Sequence, residues 1–308
     1  MLIIYFLLVL MIFIWSFSFI IVDIAIEFIP PLSIALYRFI IASITFLIID
    51  FYINLRNKRS NNPIKRVADD PKYSKIDWIT LLISSFTGVS LFFFSQYNAI
   101  LLIGPSLPAL FVCLLAPVLI SFFALIFFQE KLNKFKLIGF IIASIGGFLL
   151  VTGGNIENIT PSSPNFIGYL FALITPIFWS IYATLTKKLT KSISSNKINK
   201  YISYFGTIEL LFFVLINNEF PFFIHNFFNL TLFLCAIYLG IGCYVIGYFI
   251  WQHSQNKLKS SKVASFLYIE PFLTLLFSLL LQRSEIIVVW NIIGGIIVLV
   301  AVLLINYR

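Results

Sequence analysis

Charge is scarce in this chain. Of its 308 residues only 11% are Asp, Glu, Lys or Arg, against 60% hydrophobic, and the mean hydropathy is +1.02. A water-soluble domain averages roughly 25% charged residues, so an ordinary soluble enzyme or binding module is excluded. The sequence has no Gly-rich phosphate loop, no clustered His and Asp ligands and no Ser/His/Asp arrangement. The chain is therefore not read as an enzyme, and no cofactor or metal is assigned. His225 and His253 do not suggest a metal site either. Cysteine is sparse: Cys113, Cys235 and Cys243 are odd in number and lie in apolar runs, so no disulfide framework is indicated. No basic patch is interleaved with aromatics, and nucleic acid is not an expected partner. The first apolar run has no Lys or Arg before it and no small-residue cleavage site after it. It reads as a first span, not as a cleaved signal.

What the chain has in abundance is apolar runs of about 20 residues, each long enough to cross a hydrocarbon core as a helix. Ten spans are predicted, at 2–22, 30–51, 77–97, 105–128, 135–152, 165–186, 200–217, 230–251, 262–282 and 286–306. Pro30, Pro31, Pro105 and Pro164 fall at span starts, where a missing N–H costs little. Pro117, Pro176 and Pro271 fall inside spans, where each should kink the helix or free a carbonyl. Nineteen of the 21 Lys and Arg residues then lie on one side of the membrane: seven between Arg56 and Lys75, three between Lys131 and Lys136, five between Lys187 and Lys200, three between Lys257 and Lys262, and Arg308. The opposite loops carry Asp23, Glu27, Glu157, Glu219, His225 and Glu285, with Arg283 their one basic residue. By the positive-inside rule both termini are cytoplasmic, and the expected location is the inner (cytoplasmic) membrane, as a multi-pass protein. The net charge of +9 is thus an orientation signal toward the lipid bilayer.

The chain also writes one unit twice. Pro117, an apolar run, Glu130, Gly139 and the pair Gly146-Gly147 return in order as Pro271, an apolar run, Glu285 and the pair Gly294-Gly295. Glu to the first downstream Gly of the match is nine residues in both copies, while Pro to Glu is 13 in one and 14 in the other. Trp15-Ser16 recurs as Trp179-Ser180, and Gly88 as Gly242. The first unit covers 1–152, with a cytoplasmic loop at 52–76 containing Asn61-Asn62-Pro63. An external linker covers 153–164, and the second unit 165–308. Five spans per unit invert the second copy relative to the first, putting Glu130 inside and Glu285 outside. This is the architecture expected of secondary carriers, with a site near the midplane between the halves.

The same residues carry a family likeness. Trp15-Ser16, Pro31…Arg38, Gln96-Tyr97-Asn98-Ala99, Pro117…Glu130…Gly139, Gly168…Trp179-Ser180 and Glu270-Pro271…Glu285…Gly294 together resemble EamA-type transporters of the drug/metabolite transporter superfamily, nearly end to end. The resemblance implies an all-α membrane protein of ten helices that moves small organic metabolites without ATP. It does not imply which metabolite.

Ionisable residues inside spans cost roughly 2.5–3.5 kcal/mol each on the insertion scale and so call for an explanation. Arg38 is read either as the attractor of an anionic group or as a structural partner of Glu270, Glu209 or a helix-end carbonyl. Glu270, just before Pro271, suits proton coupling, recognition of a cationic amine or helix packing. Glu209 suits coupling or pairing with a neighbouring hydroxyl. Tyr244, Tyr248, Trp251 and Gln252 share one face of span eight. Phe92, Gln96 and Tyr97 lie in the corresponding part of span three, with Trp15, Trp179 and Tyr182 on spans one and six. Such aromatic faces with a few polar tips suit a metabolite cavity, although Tyr and Trp near span ends also form interface belts. The Phe-rich runs are assigned to lipid. Gly139, Gly146, Gly147, Gly294 and Gly295 are read as packing positions between the last spans of the halves, scaffold or homodimer elements.

The expected function is a secondary transporter of a small organic metabolite, such as an amino acid or related amine, working by alternating access with Pro117 and Pro271 as hinges. A non-transporting membrane scaffold and a nucleotide or S-adenosylmethionine exchanger are the alternatives.

Overall fold

With no water to satisfy backbone polar groups, each apolar run closes its own hydrogen bonds and winds into a helix. The computed structural model describes residues 2–59, 73–127, 134–258, 263–283 and 286–305. The turns bearing Glu130 and Glu285, and the Asn61-Asn62-Pro63 segment, lie outside the described residues. Among those described there is no strand. The apolar helices are α1 (Leu2–Ala25), α2 (Pro31–Arg59), α3 (Lys75–Ile103), α4 (Ser106–Phe127), α5 (Lys134–Thr152), α6 (Phe166–Leu189), α7 (Ser195–Ile216), α8 (Leu230–Lys257), α9 (Glu270–Leu280) and α10 (Val289–Ile305). Seven of them contain a stretch long and apolar enough to cross a membrane. The apolar parts of α5 and α10 are shorter, at Leu137–Thr152 and Val289–Ala301, as is α9 together with the turn before it, at Phe266–Leu280. The protein is an all-α integral membrane protein.

Local chemistry explains where these helices depart from the predicted spans. The start of α3 is set by a capping box, in which Asp77 N–H donates to Ser74 Oγ at 3.1 Å and Ser74 N–H donates to Asp77 Oδ2 at 2.9 Å. Its end is Gly104 at φ +77°, followed by Pro105. Hydropathy marks the lipid-facing stretch, so α2, α3, α6 and α8 run several residues beyond the predicted ends. The ninth span is not one continuous α-helix. A 3₁₀ turn, Ser265–Ile269, precedes α9, and Pro271 sits in the first turn of α9 and not inside a helix. Pro271 has no N–H for the Leu267 carbonyl, which accepts the Glu270 N–H three residues on instead. Pro117 and Pro176 do lie within α4 and α6. Two stretches widen to π-helix, Phe86–Leu91 in α3 and Tyr238–Tyr248 in α8, the third helix of each half.

The contacts between helices repeat under exchange of α1–α5 for α6–α10. Helix α1 packs on α8 and α9 as α6 packs on α3 and α4. The pairs α2/α7, α4/α9 and α5/α10 map onto themselves. A pseudo-twofold axis follows, and equivalent residues meet across it. The Ser43 and Thr207 hydroxyls are 2.9 Å apart, and the Trp15 and Trp179 rings meet edge to face at 5.6 Å; both pairs are 164 residues apart in sequence. At α5/α10 the backbones are closer still. A Cβ on Gly294 would lie 2.3 Å from the Leu150 nitrogen, and one on Gly146 2.9 Å from the Gly294 carbonyl oxygen, so this approach requires glycine. These two glycines thus pack one half against the other within the chain.

One end of the bundle, the loop end, gathers the α1–α2, α3–α4, α5–α6, α7–α8 and α9–α10 connections. There Glu219 accepts from Ser33 N–H and Oγ, both at 3.0 Å, at the start of α2, and Tyr37 donates to the Phe227 carbonyl at 2.7 Å beside a short helix, Phe220–Asn226. At the opposite, terminal end, where α1 starts and α10 ends, Lys200 pairs with Asp50 at 3.0 Å.

Candidate functional site

Midway along the bundle lies a cavity of about 50 Å³, space for a few water molecules. Seven helices and the 3₁₀ turn wall it: Trp15, Ser18 and Phe19 from α1; Arg38 from α2; Phe92, Phe93 and Gln96 from α3; Val112 and Cys113 from α4; Trp179 from α6; Cys243 and Tyr248 from α8; Leu267 from the 3₁₀ turn; and Glu270 at the head of α9. A larger groove of about 400 Å³ between α4, α5 and α6 is walled by Leu115, Val118, Phe148, Leu173 and other mostly apolar residues, several of them exposed on the bundle surface. Its polar side chains, Ser144 and Thr152, donate to carbonyls of their own helix, and no charged side chain lines it.

Two ionisable side chains enter the central cavity, and each is 3% exposed. Arg38 Nη1 donates to the Tyr97 hydroxyl at 2.5 Å and Nη2 to the Leu239 carbonyl at 2.8 Å, a carbonyl of the α8 π stretch. Its guanidinium lies over the Phe93 ring, 4.4 Å from the centroid. Nε has no partner. Glu270 is engaged by the Cys113 thiol, while its Oε2 has no partner. No ion pair joins Arg38 to Glu270, to Glu209 or to any other carboxylate among the described residues. Among the described residues Arg38 meets the Tyr97 hydroxyl and the Leu239 carbonyl, which lies inside α8 and not at a helix end.

Glu209 is not part of the cavity wall. It sits between α7 and α3, where Oε2 accepts from Ser90 Oγ at 2.5 Å and Ser85 Oγ at 3.0 Å; Ser85 immediately precedes the π stretch of α3 and Ser90 lies within it.

Of the ten aromatic and amide residues singled out in the sequence, five line the cavity: Trp15, Phe92, Gln96, Trp179 and Tyr248. Trp15 is held by its indole N–H on the Cys243 carbonyl at 3.0 Å. Tyr97 stands behind the wall as the partner of Arg38. The other four, Tyr182, Tyr244, Trp251 and Gln252, are packed toward the terminal end and do not line the cavity. Gln252 Nε2 donates to the Tyr182 hydroxyl at 3.0 Å, and Tyr244 donates to the Asn199 carbonyl at 2.9 Å. With Tyr248 and Trp179 they form a continuous aromatic layer; the Tyr182–Tyr248 and Tyr244–Tyr248 ring centroids are 5.7 and 4.5 Å apart. That layer floors the cavity. At the opposite end Arg283 joins Asp23, with Nε 2.5 Å from Oδ2, and also pairs with Glu27, tying the end of α9 to the end of α1.

Sequence reasoning missed Ser18, Phe19, Phe93, Val112, Cys113, Cys243 and Leu267 as wall residues. Phe92, grouped in the sequence with Gln96 and Tyr97, does line the cavity, while the assignment of the Phe runs to lipid fails at Phe93, just after the π stretch of α3. One signal was available: Cys113 and Leu267 each stand four residues before a proline, Pro117 and Pro271, and occupy equivalent positions in the two halves.

Two inverted halves of apolar helices closing on a central polar cavity define a membrane transporter of the repeated-unit class. The sequence profile of the EamA-like transporter family matches residues 2–152 and 166–307. The chain belongs to that family, part of the drug/metabolite transporter superfamily, whose members are transporters and not enzymes. An uncharacterized transporter of Archaeoglobus fulgidus is 27% identical over 86% of this chain and 84% of its own length. The uncharacterized transporter YyaM of Bacillus subtilis is 24% identical over 89% of this chain and 83% of its own. A crystal structure at 16% identity superposes with a TM-score of 0.61 over 98% of this chain and 95% of that one, which shows the shared fold.

Proposed function

We propose that the protein is a secondary, non-ATP carrier that moves a small organic metabolite, such as an amino acid or related amine, across the inner membrane by alternating access. The observation that carries this reading is the pair of buried, mutually unpaired charges, Arg38 and Glu270, on one mid-bundle cavity. Such groups are expensive inside a membrane and mark substrate or ion paths. The walls supply flat apolar contact from Trp15, Trp179 and Tyr248 and a hydrogen-bonding tip from Gln96.

In this reading the two halves rock about the cavity. The breaks at Pro117 and Pro271 absorb the motion, because each removes a backbone hydrogen bond beside a wall residue. The Tyr182, Tyr244, Trp251 and Gln252 layer opens toward the cytoplasm, and the Arg283 clasp opens toward the other side. Glu270 senses the substrate or a coupling proton, and Glu209 adjusts the fit of α3 against α7. Both termini face the cytoplasm.

The test is uptake into proteoliposomes of a mixed labelled pool of amino acids, polyamines, nucleobases and S-adenosylmethionine, with and without a pH gradient. Saturable uptake of amino acids or amines is expected. Saturable uptake of nucleobases or S-adenosylmethionine instead would replace the substrate class. No uptake by folded protein would sink the carrier reading in favour of a scaffold. Glu270→Gln should change the rate or its pH dependence; transport unaltered in both would remove Glu270 from coupling.

A further inference from the structure

Glu209 lies inside α7, away from the cavity, and both hydrogen bonds it accepts fall on one oxygen, Oε2. The donors, Ser85 and Ser90, are five residues apart on α3. On an α-helix, with about 3.6 residues to the turn, side chains at that spacing point about 140° away from each other. One carboxylate oxygen could not then take both hydroxyls. In a π turn, which closes on the fifth residue, they stand on one side. The clasp therefore depends on the π stretch Phe86–Leu91 and in turn holds it. The cavity wall depends on that stretch. Phe92 and Phe93 follow it directly and Gln96 comes a turn later, and all three line the cavity. Gly88, within the stretch, packs directly against the Tyr182 ring of the floor.

The second half has no such clasp. From the 164-residue spacing of Ser43/Thr207 and the 154-residue spacing of Gly88/Gly242, the positions equivalent to Glu209, Ser85 and Ser90 are Thr45, Leu239 and Tyr244. Thr45 donates to the Ile41 carbonyl of its own helix at 2.8 Å. The π stretch of α8 is met instead by Arg38, on the Leu239 carbonyl. A charged residue on the second helix of each half is thus bonded to the third helix of the other half. Arg38 is a permanent cation, whereas Glu209 can gain and lose its charge.

We propose that Glu209 is a proton-operated clasp on α3, a positioning residue that sets the cavity wall from outside the cavity. This rests on the carrier reading and deepens it, supplying a coupling point other than Glu270. As the anion, Glu209 holds Ser85 and Ser90 and fixes the π stretch. A proton taken from water onto Oε1 makes the neutral acid, and both bonds lose the charge that makes them roughly twice as strong as neutral ones. Ser85 has another acceptor at hand, the Ile202 carbonyl of α7 at 3.4 Å. With Ser85 turned there the stretch is free to rewind, and Phe92, Phe93 and Gln96 turn relative to the start of α3. The charged and titratable groups around α7 are engaged elsewhere or lie at its terminal end. On α2, Arg38 holds Tyr97 of α3 and the Leu239 carbonyl, and Asp50 pairs with Lys200. Lys75 and Asp77 stand in the first turn of α3. On α8, Tyr244 donates to the Asn199 carbonyl, and His253 and Lys257 lie in its last turns. Tyr201 and Tyr204 of α7 lie toward the terminal end from Glu209.

The test is fluorine NMR of the full-length protein in nanodiscs, with para-fluorophenylalanine in place of Phe94, which packs on Phe171 and Phe213 just past the stretch. As pH falls the resonance should pass from one limiting position to another. Glu209→Gln, a neutral stand-in for the acid, should hold it at the low-pH position at every pH, and Ser90→Ala, which removes one donor, should do the same. Thr87→Val should titrate as wild type does, since the Thr87 hydroxyl donates to the Ile83 carbonyl of its own helix. A wild-type resonance indifferent to pH overturns the proposal, as does a wild-type transition in Glu209→Gln. Should that variant not fold, Ser90→Ala decides in its place, and an unaltered transition there overturns the proposal equally. Uptake of a solute by wild-type protein whose resonance does not titrate would leave the carrier reading standing without the clasp. A transition that Glu209→Gln abolishes, in protein that takes up no solute, would establish the clasp and sink the carrier reading.

Discussion

Arg38 directs two donors at neutral partners, the Tyr97 hydroxyl and the Leu239 carbonyl, because both lie where the third helices of the two halves approach α2. Removing one partner leaves a charged donor unsatisfied in a dry interior, which costs about 1–3 kcal/mol. Tyr97→Phe should therefore lower stability by about that amount in thermal unfolding of the detergent-solubilised protein, while Tyr37→Phe, which loses only a neutral bond to the Phe227 carbonyl, should cost about 1 kcal/mol. Equal losses would mean that Arg38 does not depend on Tyr97. The opposite expectation holds at Glu219, in the connection after α7. Burial raises its proton affinity above the ordinary glutamate value, and the Ser33 hydroxyl and N–H only partly offset this. A carboxyl that binds its proton more tightly when folded contributes stability at low pH, and that contribution is lost as pH rises through the raised value. Glu219→Gln keeps an acceptor oxygen for Ser33 and removes the buried charge. Its melting temperature at neutral pH should equal or exceed wild type, and stability should depend less on pH from the ordinary glutamate value upward. A lower melting temperature at neutral pH would show that the anion at the start of α2 is worth more than its burial costs.

Element by element, hydropathy and proline marked where helices begin, and the repeated Pro and Gly marks exposed the duplication. What hydropathy could not show was the inside of each helix. The π stretches of α3 and α8 shift the facing residues by a fraction of a turn, so Phe93 and Cys243 join the wall while Trp251 and Gln252, on the expected face, pack into the floor. No single-helix periodicity contains that shift. Arg283 was legible only as the odd basic residue of its side; its contacts with Asp23 and Glu27 depend on α1 and α9 ending together. This clasp is partly exposed, so its ion pairs contribute only about 0.2–1 kcal/mol each, enough to bias a conformational equilibrium without fixing it. Arg283→Gln should speed reaction of the cavity thiols Cys113 and Cys243 with a maleimide, measured in a Cys235→Ala background. An unchanged labelling rate would remove Arg283 as a clasp. At α5/α10 the outcome is steric. Gly294→Ala places a methyl 2.3 Å from a backbone nitrogen that no rotamer change can move, so a loss of about 1–3 kcal/mol or more is expected in the same unfolding measurement.

For the whole molecule, inversion of the two halves makes the two ends of the cavity alike in helix arrangement, so their differences come from side chains, and the charge distribution predicts which end faces which compartment. The two odd-numbered halves require the α5–α6 connection and the α6–α7 connection to lie on opposite sides of the membrane. Glu157 is exposed in the first, and Asn196 is exposed at the start of α7, beside the second. With 19 of 21 basic residues predicted on the side of Asn196, that side should be cytoplasmic. The three native cysteines are buried, so an engineered thiol stands out against them. In intact cells a membrane-impermeant maleimide should label Glu157→Cys and leave Asn196→Cys unlabelled until the membrane is permeabilised. The reverse pattern would invert the molecule, putting the aromatic floor on the outside and the Arg283 clasp within the cell. Labelling of both in intact cells would contradict the inverted repeat itself, and with it the pseudo-twofold axis on which Trp15 meets Trp179.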